Sequence, residues 1–284
     1  MAFEGVITAL VTPFRDGAVD LPAFGALVER QIRAGVHGLV PCGTTGEAPT
    51  LSEAEWRSVV ETCLRVAAGR VPVTAGCGTY DTAHSVHRCR VAREVGADAA
   101  LVVTPYYNKP PPAGLEAHVR ACAAEGLPLV LYHIPGRTGL RLSAAVLADL
   151  CAIPGVAAVK EASGDVAYAD DLLPRVRVPV LSGDDGLFLP LLAVGGSGVV
   201  SVLSNVAPQA TVALWEAARS GDLREATRLH RQLVPLVRWL FHVTNPIPAK
   251  AALAALGLCR DECRLPLLAV AGELPPSVRA LMEA

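Results

Sequence analysis

One structural unit recurs along most of the chain. A short apolar run, a turn rich in Gly, Pro, Ser or Thr, and a longer amphipathic stretch follow one another eight times within residues 1–220. Apolar runs without alternation are typical of strands buried on both faces, and intervening helices make such strands parallel. Eight units over about 220 residues match a (β/α)8 barrel, whereas a doubly wound sheet more often has five or six strands and a glycine fingerprint. We therefore predict an α/β fold, a TIM barrel over residues 1–220, with residues 221–284 as a C-terminal helical extension.

The periodicity also predicts where each element lies. The predicted strands cover residues 6–11, 38–42, 72–76, 99–104, 128–132, 156–160, 179–182 and 199–203. The predicted helices cover residues 21–34, 53–68, 82–95, 114–125, 144–150, 166–173, 187–194 and 209–220. Ser52 and Glu55 have the spacing of a capping box, and Ser143 and Asp165 are predicted N-caps.

The composition is that of a globular protein with an ample core. Apolar residues make up 52% of the chain and charged residues 18%, and the formal net charge is −2. These values indicate neither a disordered chain nor an electrostatic binder of nucleic acid. The sequence contains no run of about 18 uncharged apolar residues, so it predicts no membrane span. Its first residues lack the pattern of a secretory signal. We expect a cytoplasmic protein whose eight cysteines are reduced thiols.

Lysine is scarce in this chain, and one lysine occupies a special position. Of 25 Lys and Arg residues only Lys109, Lys160 and Lys250 are lysines. Lys160 ends a predicted strand, at the edge where such barrels build their active sites. Burial there disfavours the ammonium and lowers the lysine pKa, so that the amine attacks carbonyl carbons. Lys160 is therefore the candidate for a Schiff base, with a snorkelling side chain or a pair with Glu161 as the alternative.

Polar residues follow other predicted strands at the same edge. Thr44 and Thr45 lie in a turn whose hydroxyls and N–H groups suit a small carboxylate, although such turns are also ordinary connections. Tyr132 can move protons beside an imine, or else is a core aromatic. Arg137 suits a second carboxylate, unless it is only solvated. Tyr107 precedes a proline-rich loop, where tyrosines often contact another subunit.

The sequence indicates two other kinds of site, a phosphate site and a metal site, but less strongly. Phosphate is the rival anion, because residues 195–198 are glycine-rich. Asp184 and Asp185 suggest a metal, but without neighbouring carboxylates or histidines a structural turn is the better prediction.

The motifs together resemble the dihydrodipicolinate synthase family of class I pyruvate-dependent aldolases. The resemblance extends in order over nearly the whole chain, through residues 43–47, 103–108, 132–139, 160–164, 181–185, 198–202 and 245–250. Such agreement favours the Schiff-base interpretation of Lys160 over its alternative.

The resemblance implies how pyruvate is bound. Lys160 is expected to form an imine with pyruvate, and Thr44 and Thr45 are expected to hold its carboxylate. The backbone carbonyls of Gly183 and Val200 are expected to shape the pyruvate pocket.

The resemblance also implies the rest of the reaction. Tyr132, Thr44 and Tyr107, the last from a neighbouring subunit, are expected to relay protons. The enamine then attacks aspartate semialdehyde, whose carboxylate Arg137 is expected to receive. Cyclisation releases 4-hydroxy-tetrahydrodipicolinate, on the diaminopimelate route to lysine. The implied chemistry needs no metal and no organic cofactor, and the implied assembly is a homodimer or homotetramer.

Two alternatives remain open at this point. The chain could be another pyruvate-dependent aldolase or lyase of the superfamily, acting on sialic acid or keto-deoxy sugars, or a non-catalytic barrel protein. Regulation is a further expectation. In lysine-inhibited relatives the effector site corresponds to residues 48, 49, 53, 56, 80 and 84 of this chain, whose identities here predict weak or absent inhibition by lysine.

Overall fold

The computed structural model describes residues 3–269, 275–276 and 279–280, and within them strands and helices alternate as predicted. The strands are β1 (Gly5–Ala9), β2 (Phe14–Arg15), β3 (Ala18–Val19), β4 (Gly38–Val40), β5 (Thr74–Gly76), β6 (Ala99–Val103), β7 (Leu129–His133), β8 (Val156–Glu161), β9 (Val180–Ser182) and β10 (Gly198–Ser201). The helices are α1 (Leu21–Arg33), α2 (Glu53–Ala67), α3 (Thr82–Glu94), α4 (Pro112–Ala123), α5 (Pro135–Thr138), α6 (Ala144–Cys151), α7 (Val166–Leu172), α8 (Phe188–Ala193), α9 (Pro208–Arg219), α10 (Leu223–Leu240) and α11 (Ile247–Ala255).

Each predicted strand and helix is present, and no end differs from its prediction by more than two residues. The capping box of Ser52 and Glu55 is formed, and the side chains of Ser143 and Asp165 accept hydrogen bonds from the first turns of their helices. The periodicity did not predict the β2–β3 hairpin or the four-residue helix α5, because such short elements carry no period.

Contacts within the chain divide it into two compact units. The central unit comprises Met1–Glu4 and Thr74–Val200, and the terminal unit comprises Gly5–Val73 and Ser201–Ala284. The division into a barrel domain and an extension after residue 220 stays a prediction. None of the helices in the described part of the chain is long and apolar enough to span a membrane.

The central unit is a parallel sheet covered by helices. Its strands lie in the order β10-β9-β8-β7-β6-β5 and pair in parallel. All five residues of β7 are buried, which is why the strand reads as a continuous apolar run before its last residues. The core of this unit includes Ala75, Leu101, Leu115, Leu129, Leu131, Leu147, Val159, Leu172, Leu181 and Phe188.

In the terminal unit, β1 pairs in parallel with β4, and Leu39 bridges to Val73. Helix α1 packs on α2, and α9 packs on α10. The core of this unit includes Val6, Phe14, Phe24, Leu39, Trp56, Val60, Leu214, Leu236, Leu240 and Leu253.

Candidate active site

Lys160 is a buried basic residue of the central unit. It lies next to last in β8 and is 5% exposed. Burial lowers the pKa of its ammonium from 10.5 to about 7; nearby Asp185 partly opposes the shift, and Arg137 adds to it. A substantial fraction of the side chain is therefore the nucleophilic amine at neutral pH.

Tyr132 lies directly beside Lys160. The two residues are register partners on β7 and β8, and Lys160 Nζ lies 4.1 Å from the centroid of the Tyr132 ring. Adjacent strands point residues in register toward the same face of a sheet. Tyr132 is itself buried, so its phenol is held at the strand end close to the amine.

Gly183 leaves room for the lysine side chain. A Cβ atom at Gly183 would lie 2.6 Å from the Cβ of Ala162 and 3.0 Å from the Cε of Lys160. The Gly183 N–H donates to the Glu161 carbonyl over 2.6 Å, which keeps the backbones close. Val200 is buried in β10 of the same unit.

Two charged residues of the central unit act on Lys160 electrostatically. Asp185 is buried at the start of a 3-10 turn, Asp185–Leu187, and Arg137 is exposed on α5. The neighbouring Asp184 caps that turn by accepting from the N–H of Gly186 at 2.8 Å. The aspartates thus belong to a structural turn. Within the described ranges no three His, Cys, Asp or Glu side chains are grouped for a metal ion.

Tyr107 projects from the central unit. It is 89% exposed and has a left-handed backbone, with φ of 72°. Its loop is ordered by neighbours, since the rings of Tyr80 and Tyr106 pack edge to face at 5.4 Å and Asn108 Nδ2 donates to the Tyr80 carbonyl over 2.9 Å. An exposed tyrosine on a fixed loop is available to a second molecule.

The two predicted carboxylate-binding threonines lie in the terminal unit. They follow β4 in the turn of residues 43–47, where Thr44 is half-buried and Thr45 is buried. The Thr12 hydroxyl donates to the Gly46 carbonyl over 2.7 Å, and Asn245 Nδ2 donates to Thr45 Oγ1 over 2.9 Å. The Thr45 hydroxyl is therefore held in place by the amide of Asn245.

A buried ion pair behind this turn was not expected from the sequence. Lys250 is fully buried, donates to the Glu47 carboxylate and to the Glu262 carbonyl, and lies 4.0 Å from the centroid of the Phe14 ring. The Arg264 backbone N–H donates to the other oxygen of Glu47 over 3.0 Å. The scarcity of lysine was the available signal, but the position of Lys250 in the extension gave no indication of its partner.

His133 is another buried polar residue that the sequence did not single out for a role. It follows Tyr132 and so points to the opposite face of the sheet, where its ring packs on that of Tyr168 at 5.5 Å. Both ring nitrogens are buried and have no hydrogen-bond partner among the residues that the structure describes. Burial, with a smaller contribution from Arg141, lowers the pKa of His133 to about 4, so the ring is neutral at pH 7.

Comparisons with known proteins identify the family of the chain. The model of the dihydrodipicolinate synthetase family matches residues 2–284. The chain is 51% identical to the 4-hydroxy-tetrahydrodipicolinate synthase of Thermomicrobium roseum over 94% of this chain and 90% of that protein.

The backbone of the chain is also similar to solved structures of dihydrodipicolinate synthases. A dihydrodipicolinate synthase from Aquifex aeolicus is 42% identical and superposes with a TM-score of 0.93, covering 99% of this chain and 96% of that one. A monomeric dihydrodipicolinate synthase variant is 38% identical, with a TM-score of 0.93 and coverage of 99% and 95%. The superposition confirms the predicted (β/α)8 barrel class. With an amine of lowered pKa at the end of β8, and with sequence and backbone in agreement over nearly its whole length, the chain belongs to the dihydrodipicolinate synthetase family.

Proposed function

We propose that this protein is a Schiff-base-forming lyase, a 4-hydroxy-tetrahydrodipicolinate synthase, that condenses pyruvate with aspartate semialdehyde. The observation that carries the proposal is the buried Lys160 amine, with its pKa lowered to about 7, beside the Tyr132 ring. The similarity to the 4-hydroxy-tetrahydrodipicolinate synthase of Thermomicrobium roseum, at 51% identity, supports the choice of reaction.

The first half of the proposed reaction activates pyruvate. The Lys160 amine attacks the keto carbon of pyruvate, and loss of water leaves an imine. The imine nitrogen then accepts the electron pair released when the pyruvate methyl group loses a proton, which gives the enamine. Thr44 and Thr45 bind the carboxylate, and the carbonyls of Gly183 and Val200 line the pocket, as the family resemblance implies.

The second half forms the new carbon–carbon bond. The enamine carbon attacks the aldehyde carbon of aspartate semialdehyde, whose carboxylate is received by Arg137. The amino group of that substrate next attacks the imine carbon, and the Lys160 amine leaves as the ring closes. Tyr132, Thr44 and Tyr107 relay the protons that these steps move.

Tyr107 bears on the assembly of the enzyme. The residue is 89% exposed, and it is proposed to enter the active site of a second subunit, in a homodimer or homotetramer. One structural relative is described as a monomeric variant, so the assembly is a property to be measured. Sedimentation velocity with wild type and Tyr107→Ala tests it: a wild-type protein that is monomeric at assay concentration contradicts the shared site.

Location and regulation are further parts of the proposal. Cytoplasmic residence is supported by the eight cysteines, which are thiols and of which six are buried. Weak or absent inhibition by lysine stays a prediction.

The central experiment is borohydride reduction in the presence of pyruvate, followed by peptide mass spectrometry. A reduced pyruvyl adduct is expected on Lys160 and not on Lys109 or Lys250, and it should disappear in Lys160→Ala. No adduct on the wild-type protein defeats the proposal and leaves the non-catalytic barrel.

Steady-state rates then identify the acceptor. Turnover of aspartate semialdehyde should exceed cleavage of sialic acid and of keto-deoxy sugars, and Arg137→Ala should reduce only the first. Faster cleavage of a sugar acid would favour the other branch of the superfamily.

A further inference from the structure

An amide from far along the chain holds the side chain of Thr45. Asn245 Nδ2 donates to Thr45 Oγ1 over 2.9 Å, and both residues are buried. A threonine hydroxyl has one proton to donate and two lone pairs that accept. Because Asn245 Nδ2 donates to this oxygen, the hydroxyl proton of Thr45 is not used in that contact and is left for another acceptor.

The backbone of the same turn is strained. Cys42 and Glu47, on either side of the two threonines, have φ values of 55° and 53°. These are left-handed conformations that residues other than glycine adopt at a cost, so the surroundings have to hold them.

Residues 245–264 make the hydrogen bonds that keep this turn in its left-handed conformation. Lys250 Nζ and the Arg264 backbone N–H both donate to the Glu47 carboxylate. The Arg264 side chain also donates to the Thr50 carbonyl over 2.8 Å, just beyond the turn. One stretch of chain therefore fixes both the backbone beside Thr45 and the direction of its hydroxyl.

We propose that Asn245 is a positioning residue that aims the Thr45 hydroxyl proton at the carboxylate of the bound α-keto acid. The inference rests on the proposed function and deepens it, because it says why the turn favours a group that only accepts hydrogen bonds. Asn245 acts through Thr45 and does not touch the substrate.

Two substitutions of Asn245 separate aiming from packing. Asn245→Asp keeps the shape of the side chain, but a carboxylate can only accept hydrogen bonds. It therefore accepts the hydrogen bond of the Thr45 hydroxyl and places a negative charge near the substrate carboxylate. Asn245→Ala leaves the Thr45 hydroxyl free to rotate. The pyruvate concentration that half-saturates borohydride trapping should rise by about 10- to 100-fold in Asn245→Asp. In Asn245→Ala it should rise by about 3- to 10-fold.

Kinetics supply a second readout. In both variants kcat and the KM for aspartate semialdehyde should stay within about threefold of wild type, because only the carboxylate contact is weakened. A packing role predicts the opposite order of severity, since Ala removes the larger volume. If Asn245→Ala binds pyruvate more weakly than Asn245→Asp does, the proposal is overturned.

A double-variant comparison decides the question even if Asn245→Asp does not fold. If Asn245 acts through Thr45, then Thr45→Val combined with Asn245→Ala should bind pyruvate as Thr45→Val alone does. If the loss of pyruvate affinity in the double variant equals the product of the losses in the two single variants, the proposal is overturned. Absence of the wild-type adduct defeats the proposed function itself, whereas a wild-type adduct with unchanged pyruvate binding in Asn245→Asp defeats only the role of Asn245.

Discussion

Lys160 Nζ lies 4.1 Å from the centroid of the Tyr132 ring, and the two residues are register partners on neighbouring parallel strands. An aromatic face stabilises a cation, whereas burial destabilises it. Burial dominates here, because the pKa of Lys160 falls to about 7. The pairing therefore places a phenol beside an amine that is already partly deprotonated at neutral pH.

The pH dependence of imine formation should follow the Lys160 amine. The free amine forms as pH rises through the pKa, so the rate of pyruvate trapping by borohydride should increase with pH and level off above about 7. Asp185→Asn should move the midpoint to lower pH and Arg137→Gln to higher pH, because Asp185 stabilises the ammonium and Arg137 destabilises it. A midpoint near the ordinary lysine value, or shifts in the same direction, would contradict this account.

Removal of the Tyr132 hydroxyl should slow catalysis but leave the surroundings of Lys160, and so its pKa, nearly unchanged. Tyr132→Phe retains the ring under Lys160, so the pH midpoint of imine trapping should change little. Loss of the proton-transferring phenol should lower kcat by about 10²- to 10⁴-fold. Stopped-flow trapping and steady-state assays measure the two effects separately, and an unchanged kcat would exclude Tyr132 from the relay.

A methyl group at Gly183 should displace the nucleophile. In Gly183→Ala the new Cβ would meet Ala162 at 2.6 Å and Lys160 at 3.0 Å, so the lysine has to move. The expected result is a large loss of imine formation, measured by borohydride trapping. Gly25→Ala is the matched control, because its Cβ would have ordinary contacts of 3.6 Å or more and the residue lies within α1. Equal activity of the two variants would show that Lys160 tolerates the displacement.

The buried Glu47–Lys250 pair should be costly to break on one side only. Lys250→Met leaves a buried carboxylate without its cation and should lower the free energy of unfolding by about 3–5 kcal/mol. Lys250→Met combined with Glu47→Gln should recover much of that loss, since the amide is neutral and still accepts from Arg264. Urea unfolding measures both variants, and a double variant no more stable than Lys250→Met would show that charge is not the cause.

His133 should make stability sensitive to acid. The pKa of His133 is about 4 in the folded chain against 6.5 ordinarily, so between these values the unfolded chain binds more protons. Wild type should therefore lose stability relative to His133→Asn as pH falls from about 7 to 4, by up to about 3 kcal/mol. Urea unfolding of both proteins across this range measures the difference. A difference that does not vary with pH would place the His133 pKa near its ordinary value.

The sequence by itself determined the strand-and-helix alternation and the place of Lys160 at a strand end. Both follow from local chemistry: apolar runs, turn residues and helix caps act over a few neighbouring residues. A lysine after four apolar residues in a strand is likewise visible without coordinates. The family followed from short motifs in chain order, and the comparisons confirm it.

Only the tertiary structure decided which distant residues meet. Asn245 donates to Thr45, and Lys250 pairs with Glu47, across 200 and 203 positions of sequence. No local pattern encodes such a partner, because each contact depends on where the chain returns after many intervening elements. The same holds for the status of the three lysines. Lys109 lies exposed in a loop, whereas Lys160 and Lys250 are both buried, one lowered in pKa by desolvation and the other matched to a carboxylate.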